Sequence, residues 1–423
     1  QETDEAFFVC DLRDLAHKVN LWRRELPRVT PFFAIKVCTD PVILHAMNSL
    51  GVSFDCSNKR ELKAVLDMGV TADRIVYANT VKSTSHLKYA SEHGVTLMTF
   101  DSAEELVKMD DKNARLLLRL AASEFGSRWT MNEKFGAYSH EVEDLLKVAL
   151  KFGRNVVGVA FHVGCAYQHP DIFAQTIKHA KQVFDMGEQM GFRMDVLDIG
   201  GGFPGGLRKE DTFAKAHVSR FQVCEAIRAA IDTHFAPSSG VTIIAEPGQF
   251  FVTSAYSLVV RVVGKRKRQI NTDGVVRPHV DIFINESKDN CVSRNLYQFM
   301  DIQLHPLNPP FDRPRNVLTS LWGATCNPID RMEDKTLMFD VCVDEWLFMD
   351  NMGAYGLIRA TGFNGFGFPL IKYITTADKM SSVQRIVDSM LMRGGYGQVE
   401  EAIRARHPRN HITLGESGVD EIA

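Results

Sequence analysis

Met194-Asp-Val-Leu-Asp-Ile-Gly-Gly-Gly-Phe-Pro-Gly205 is a strand-forming run, Met194 to Ile199, that stops on three glycines. A short apolar run ending on glycine or a polar residue is how a parallel strand hands over to a helical connection. Seven more such runs lie between about residues 30 and 246: Phe32 to Val37, Val52 to Asp55, Arg74 to Ala78, Val95 to Phe100, Arg115 to Leu120, Val156 to Val163 and Val241 to Ala245. Stretches of helical period separate them, among them Lys59 to Leu66, Ser102 to Met109, Glu141 to Phe152, Ile172 to Met190 and Val218 to His234. Eight βα repeats over roughly 230 residues predict an α/β fold, a closed (β/α)8 TIM barrel in preference to an open doubly wound sheet.

The pattern changes after about Tyr256. Alternating segments at Leu258 to Val263, His279 to Ile284, Leu337 to Val341 and Trp346 to Asp350 are broken by Pro and Gly, the pattern of a C-terminal antiparallel β domain. The barrel is expected over 12–256. The second domain, of β-sandwich type, is expected over 1–11 and 257–423, with Phe7-Phe-Val-Cys-Asp11 as a strand joining it and a helical end over Ser381 to Ala405.

Composition narrows the class of partner. Hydrophobic residues make up 45% and charged residues 24% of 423, and 49 basic against 52 acidic side chains leave a net charge of −3. Such a balance creates no field for nucleic acid or anionic lipid, so the expected partner is a small molecule. The one basic run, Gly264-Lys-Arg-Lys-Arg268, reads as a solvated loop. No apolar stretch approaches the roughly 20 residues of a membrane span, and no secretory leader is expected. Eight scattered cysteines lack zinc or disulfide spacing, which points to reduced thiols and a cytoplasmic setting.

In a barrel of this kind chemistry gathers at the carboxyl ends of the strands. Those ends carry Lys36, Asp55, Tyr77-Ala-Asn79, Asp101, Arg119, His162-Val-Gly164, Gly200-Gly-Gly202 and Glu246-Pro-Gly248. Each is weak alone; together they describe one convergent site. A lysine inside the apolar run Phe-Phe-Ala-Ile-Lys-Val is expected to be a low-pKa amine, able to form a Schiff base. Gly200, Gly201 and Gly202 offer backbone N–H groups to a phosphate, or else form a plain tight turn. A lysine, a phosphate cradle, a stacking His and a carboxylate for a pyridinium are the parts that pyridoxal 5'-phosphate requires.

Pro31-Phe-Phe-Ala-Ile-Lys36, Phe54-Asp-Cys56, Lys134-Phe-Gly136, Phe161-His-Val-Gly164, Leu197-Asp-Ile-Gly-Gly-Gly-Phe-Pro-Gly205, Ala245-Glu-Pro-Gly248, Trp322-Gly-Ala-Thr-Cys326, Asn351-Met-Gly-Ala-Tyr355 and Phe363-Asn-Gly-Phe366 resemble the eukaryotic ornithine decarboxylases and their paralogues. The resemblance runs from about residue 7 to 375. It implies a fold-type III pyridoxal phosphate decarboxylase, alanine racemase-like in fold, and a homodimer whose active sites join one barrel to the partner's β domain. By position, Lys36 resembles the lysine that carries the cofactor, Glu246 the carboxylate on the pyridine nitrogen and His162 the ring-stacking imidazole. Asp55, Glu61 and Arg119 match residues around the cofactor, and Gly202 and Tyr355 match phosphate ligands. Cys326 resembles the partner-chain thiol that returns a proton, and Phe363 an aromatic at the site. Lys134 with Asp330, and Asp101 with Arg266, match charge pairs that join family dimers.

The departures carry as much information. Gln249 stands where the family has a phosphate-pairing Arg, and Cys165 where it has Ser. Asn327 and Gln298 replace the two aspartates that read the distal amine of ornithine. Without countercharge a buried ammonium is expensive, so a neutral amino acid, leucine among the candidates, is the expected substrate. The alternatives are a catalytically silent regulator like antizyme inhibitor, or a weak ornithine or lysine decarboxylase in which another acid, Asp289 or Glu286, receives the amine. Lys82 to Lys108 corresponds to the family's antizyme-binding stretch, leaving antizyme as a further partner.

Overall fold

The computed structural model describes residues 4–122, 127–129, 131–167, 169, 171–206, 220–272, 274–292 and 304–375. Two compact units divide the described residues: one over Asp14–Ser254, the other over 4–13 and the residues from Ala255 onward.

The first unit is the barrel. The chain opens on strand β1 (Phe7–Asp11), and the barrel strands follow as β2 (Val29–Ala34), β3 (Ser53–Cys56), β4 (Ile75–Tyr77), β5 (Leu97–Phe100) and β6 (Arg115–Leu120). A short strand β7 (Ser127–Trp129) precedes β8 (Val156–Phe161), and its antiparallel mate β9 (Cys165–Tyr167) precedes β10 (Val196–Asp198) and β11 (Thr242–Ala245). Parallel pairing closes the ring in the order β10-β11-β2-β3-β4-β5-β6-β8. Phe32, Val76, Leu97, Leu117, Val157, Ala160, Val196 and Ile244 form a buried cluster. Closure is tightest at Gly158, where a Cβ would lie 1.8 Å from Val196 O on the paired strand.

Helices begin immediately past the strand ends because polar residues there cap them. Asp40 accepts the Val42 N–H ahead of Pro41–Ser49, and Asn58 accepts from Arg60 and Glu61 ahead of Lys59–Asp67. Ser102 likewise caps Ala103–Lys108. Beneath that cap the side chains of Lys82 and Glu105 are buried against each other at 3.2 Å, and Lys82 Nζ also donates to Thr99 O at 2.6 Å. Burial pulls Lys82 down to about 8.

The second unit is a β domain, built from β1 with β12 (Tyr256–Thr272), β13 (Val275–Ile284), β14 (Leu304–Pro306), β15 (Val317–Trp322), β16 (Arg331–Met338), β17 (Trp346–Met349) and β18 (Leu370–Ile374). Most neighbours are antiparallel, as expected, but β13 runs parallel to β15 and β1 parallel to β18, so the sheet is mixed. The basic run corrects its reading as a loop: residues 264–268 lie within β12, paired residue by residue with β13. The strand tolerates them because their charges are matched. Lys265 reaches Asp340 at 2.6 Å, while Arg266 and Arg268 hold Asp281 at 2.9 and 2.7 Å. The helical end expected over Ser381 to Ala405 lies outside the described residues.

Candidate active site

Lys36 lies not inside a strand but in a 3-10 turn, Ile35–Val37, that closes β2. The turn buries Ile35 and Val37 and brings the lysine out of the apolar alternation, leaving its side chain 40% exposed with Nζ 2.9 Å from Asp55 Oδ2 on β3. The amine is thus matched to a carboxylate rather than sealed in hydrocarbon, and the argument from burial in a strand does not hold. Asp55 itself is buried, and among the described residues its Oδ1 has no hydrogen-bond partner.

Two further carboxyls are buried at the ends of β10 and β11. Asp198 Oδ1 accepts the Gly200 N–H at 2.8 Å, and Glu246 N donates to Gly200 O at 2.7 Å. Burial pushes Asp198 up to about 7, against the hydrogen bonds that pull it down. Burial, then the charges of Asp198 and Asp55, hold Glu246 well above the usual carboxylate range, with Lys36 and Arg119 pulling the other way. The raised Asp198 and Glu246 hold protons in the chain alone, and a cationic group such as a protonated pyridine nitrogen would let them ionise.

His162 follows β8, and its Nδ1 accepts the Gly164 N–H at 3.0 Å, so the neutral ring carries its proton on Nε2. Desolvation, then Arg119 and Lys36, keep its pKa well below the ordinary histidine value. Gly201 has no room for a side chain: a Cβ there would come within 2.9 Å of His162 Nε2 and 2.8 Å of Glu246 O. Gly202, at φ +96°, is as tightly placed against Gly164 O. Among the described residues the amides of Gly201 and Gly202 have no acceptor, so the turn can serve an anion. Beside it the Gln249 amide stands 3.7 Å from Cys165 Sγ, whose thiol is pushed up to about 11 by desolvation. Both side chains are uncharged.

Arg119 lies 4.7 Å over the ring of Phe135. Glu61 is consumed in a helix cap, taking the Ser57 N–H and Oγ–H on one oxygen and Asn58 Nδ2 on the other. It therefore braces the loop after Asp55 and Cys56.

The β domain carries a second polar group. Cys326 is exposed, and its N–H donates to Asn364 Oδ1 at 3.0 Å. Asn327 Nδ2 donates to Asp289 Oδ2 at 2.6 Å, while its Oδ1 accepts the Ile329 N–H. Asp330, 1% exposed, receives Ser287 Oγ, Lys288 N, Thr325 N and Thr325 Oγ1, which holds the Cys326 loop against the Asp289 loop. Phe363 is exposed, Tyr355 adopts a left-handed backbone at φ +58°, and Gln298 lies outside the described residues. The candidate dimer charges are engaged within the single chain: Asp330 as above, Arg266 with Asp281, and Asp101 Oδ2 with Gly136 N at 2.8 Å.

Sequence reasoning passed over Asp198, although it had a signal, a charged residue inside the apolar run Val-Leu-Asp-Ile, where only function or a buried partner justifies it. Asp289 was offered only with Glu286 as an alternative acid for an amine, and its place against Asn327 had no signal before the loops were folded together.

Comparison with known proteins bears on this geometry. Residues 12–253 match the family model described as pyridoxal-dependent decarboxylase, pyridoxal binding domain. Ornithine decarboxylase of Caenorhabditis elegans is 37% identical over 397 residues, 91% of this chain and 90% of that protein. Antizyme inhibitor 2 of Xenopus laevis is 35% identical over 407 residues, 95% and 86%. Among solved structures, the arginine decarboxylase of Paramecium bursaria Chlorella virus bound to agmatine superposes with a TM-score of 0.79 at 31% identity, covering 88% of this chain and 96% of that one.

Because Asp198 is raised in the folded chain, the native state holds a proton that the unfolded chain has released, and stability falls as pH rises from about 4 to about 7. Asp198→Asn removes that loss while keeping an oxygen for Gly200. The cofactor-free variant is expected to be about 1 to 3 kcal/mol more stable than the parent at pH 8 and equal to it near pH 4. Urea unfolding at the two pH values measures the difference, and equal midpoints at pH 8 would contradict it.

Proposed function

The chain belongs to the pyridoxal-dependent decarboxylases, carboxy-lyases that use pyridoxal phosphate, and from that membership we propose an amino-acid decarboxylase of the ornithine decarboxylase type that acts on a neutral L-amino acid such as leucine. The observation that carries this reading is the barrel mouth, where Lys36 stands on Asp55 beside a neutral His162 and the buried Glu246–Asp198 pair.

When bound, the cofactor supplies an electron sink for the pair of electrons left as carbon dioxide departs. Lys36, its amine held by Asp55, would carry the cofactor. Glu246 would hold the proton of the ring nitrogen, Asp198 holds the glycine turn at Gly200, and His162 would lie against the ring. Gly200, Gly201 and Gly202, with Gln249 and Cys165, would receive the phosphate, Arg119 would add positive charge, and Glu61 braces the loop carrying Asp55. Cys326 returns a proton to the substrate's α-carbon, and Phe363 bounds the substrate. In this proposal the active protein is a cytoplasmic homodimer in which Cys326 serves the partner's barrel.

A silent regulator of the antizyme-inhibitor kind is the competing reading, favoured by the kinship with such a protein and by the uncharged phosphate wall at Gln249 and Cys165. Antizyme belongs to either reading as a partner; in the 82–108 stretch Lys82 is buried, while Val107 is exposed. One observation also favours weak ornithine or lysine turnover: Asp289 stands at 2.6 Å from Asn327, so a carboxylate remains near the amide that replaced the family's own.

Three experiments separate these. Borohydride treatment of protein saturated with pyridoxal phosphate is expected to fix a pyridoxyl group on the Lys36 peptide, read by mass spectrometry; an unmodified Lys36 peptide would leave the regulator standing. Mixing Lys36→Ala with Cys326→Ala protein is expected to restore up to about a quarter of the activity through heterodimers carrying one intact site. No recovery after verified subunit exchange would remove Cys326 from a shared site. In a carbon dioxide release assay over an amino-acid panel, the parent is expected to prefer a neutral substrate, and Asn327→Asp to gain ornithine turnover by about tenfold or more, because an ion pair returns to the buried amine. Ornithine preferred by the parent and lost in Asp289→Asn would assign the amine to Asp289 and reject the neutral reading.

A further inference from the structure

Cys326 lies in the loop between β15 and β16, where successive N–H groups are held from three directions. Ala324 N donates to Glu286 O at 3.2 Å, Thr325 N to Asp330 Oδ2 at 3.1 Å and Cys326 N to Asn364 Oδ1 at 3.0 Å. The first ties the loop to the residues just past β13, and the second ties it to its own far end. The third fastens the thiol-bearing residue itself, and it does so from the turn Phe363–Gly365.

Asn364 takes a left-handed backbone at φ +57°. Glycine enters that region at no steric cost, so the turn alone does not call for asparagine. What asparagine adds is a side-chain oxygen, and that oxygen is the one on the Cys326 N–H. The turn that carries it is braced from behind. Phe363 N donates to Thr361 Oγ1 at 3.2 Å, Thr361 Oγ1 donates to Asp289 O at 2.8 Å, and Thr361 N donates to Asn290 Oδ1 at 3.1 Å. Asn290 in turn gives its Nδ2 to Glu286 Oε1 at 2.9 Å, and both of these side chains are buried. Rooted there, the network ends on two exposed residues, Cys326 and Phe363.

We propose that Asn364 is a positioning residue for the return of the proton: its side-chain oxygen holds the Cys326 backbone and so sets where the thiol stands relative to the Phe363 turn. In that step the S–H bond breaks, the electron pair left by carbon dioxide forms the new C–H bond, and the thiolate regains its proton from water. Asn364 exchanges no proton. The inference rests on the reading that Cys326 serves the substrate's α-carbon, and it concerns the placing of that thiol alone.

The test counts amine formed per carbon dioxide released by the full chain loaded with pyridoxal phosphate, using the amino acid that the parent turns over fastest. A thiol out of place lets the proton arrive on the cofactor instead of the α-carbon. The substrate then leaves as an aldehyde, its oxygen coming from water and its nitrogen staying on the cofactor. Asn364→Gly, which keeps the backbone and removes the oxygen, is expected to raise the aldehyde fraction by about fivefold or more. Asn364→Asp, which keeps an acceptor, is expected to follow the parent. In the Cys326→Ala background Asn364→Gly is expected to change the fraction by less than about twofold, because a residue acting through the thiol has nothing left to place. In protein without cofactor, Asn364→Gly but not Asn364→Asp should speed hydrogen exchange at the Cys326 amide by about fivefold or more, read by mass spectrometry. Unchanged exchange or an unchanged aldehyde fraction in Asn364→Gly, or the same rise with and without the thiol, would overturn the proposal. If Cys326→Ala leaves the aldehyde fraction unmoved, the Cys326 reading fails; if the parent releases no carbon dioxide, the decarboxylase reading fails. Either result takes this inference with it.

Discussion

Three carboxyl groups, Asp55, Asp198 and Glu246, are buried on one rim that offers them Lys36 and Arg119 as bases. Burying acids in that ratio is unfavourable, and the surrounding chain is arranged to limit the cost. Lys36 leaves its strand to meet Asp55, and Asp198 spends one oxygen on Gly200. In the chain alone the raised Asp198 and Glu246 answer that ratio by holding protons. In the proposed site a cofactor with a basic ring nitrogen would let them ionise, so binding affinity and the protonation state needed for an electron sink would come from the same imbalance.

The opposite imbalance marks the phosphate side. In the proposed site the glycine turn, Gln249 and Cys165 would face an anion with dipoles rather than charge, a weaker hold than a direct ionic hydrogen bond. The chain thus treats the two ends of one ligand differently, with a strong demand at the ring and a diffuse one at the phosphate.

Much of this was legible in the residues before any coordinates. Strand periodicity and eight repeats specified the barrel, because alternation between buried runs and capped helices is local information. The strand-end rule located Asp55, His162 and Glu246 for the same reason. Lys36 was located but misjudged in environment, since a single 3-10 turn after Ala34 leaves no mark in an apolar run. The basic run in β12 was misread because its acceptable partners, Asp281 and Asp340, lie 15 and 75 residues further along the chain from Arg266 and Lys265. Asp289 beside Asn327 is likewise a product of two loops meeting, and no local pattern announces it.

The capped handover from strand to helix has an evolutionary reading. Asp40, Asn58 and Ser102 secure their helices with their own side chains, and the strands fill the barrel with theirs, so neither task falls on Lys36, His162 or Gln249. Inheritance of the scaffold is thereby uncoupled from inheritance of the reaction. A lineage can exchange rim residues one at a time while every intermediate still folds, which lets a catalyst drift toward a new substrate, or fall silent and persist as a binding protein, without crossing a valley of unfolded ancestors.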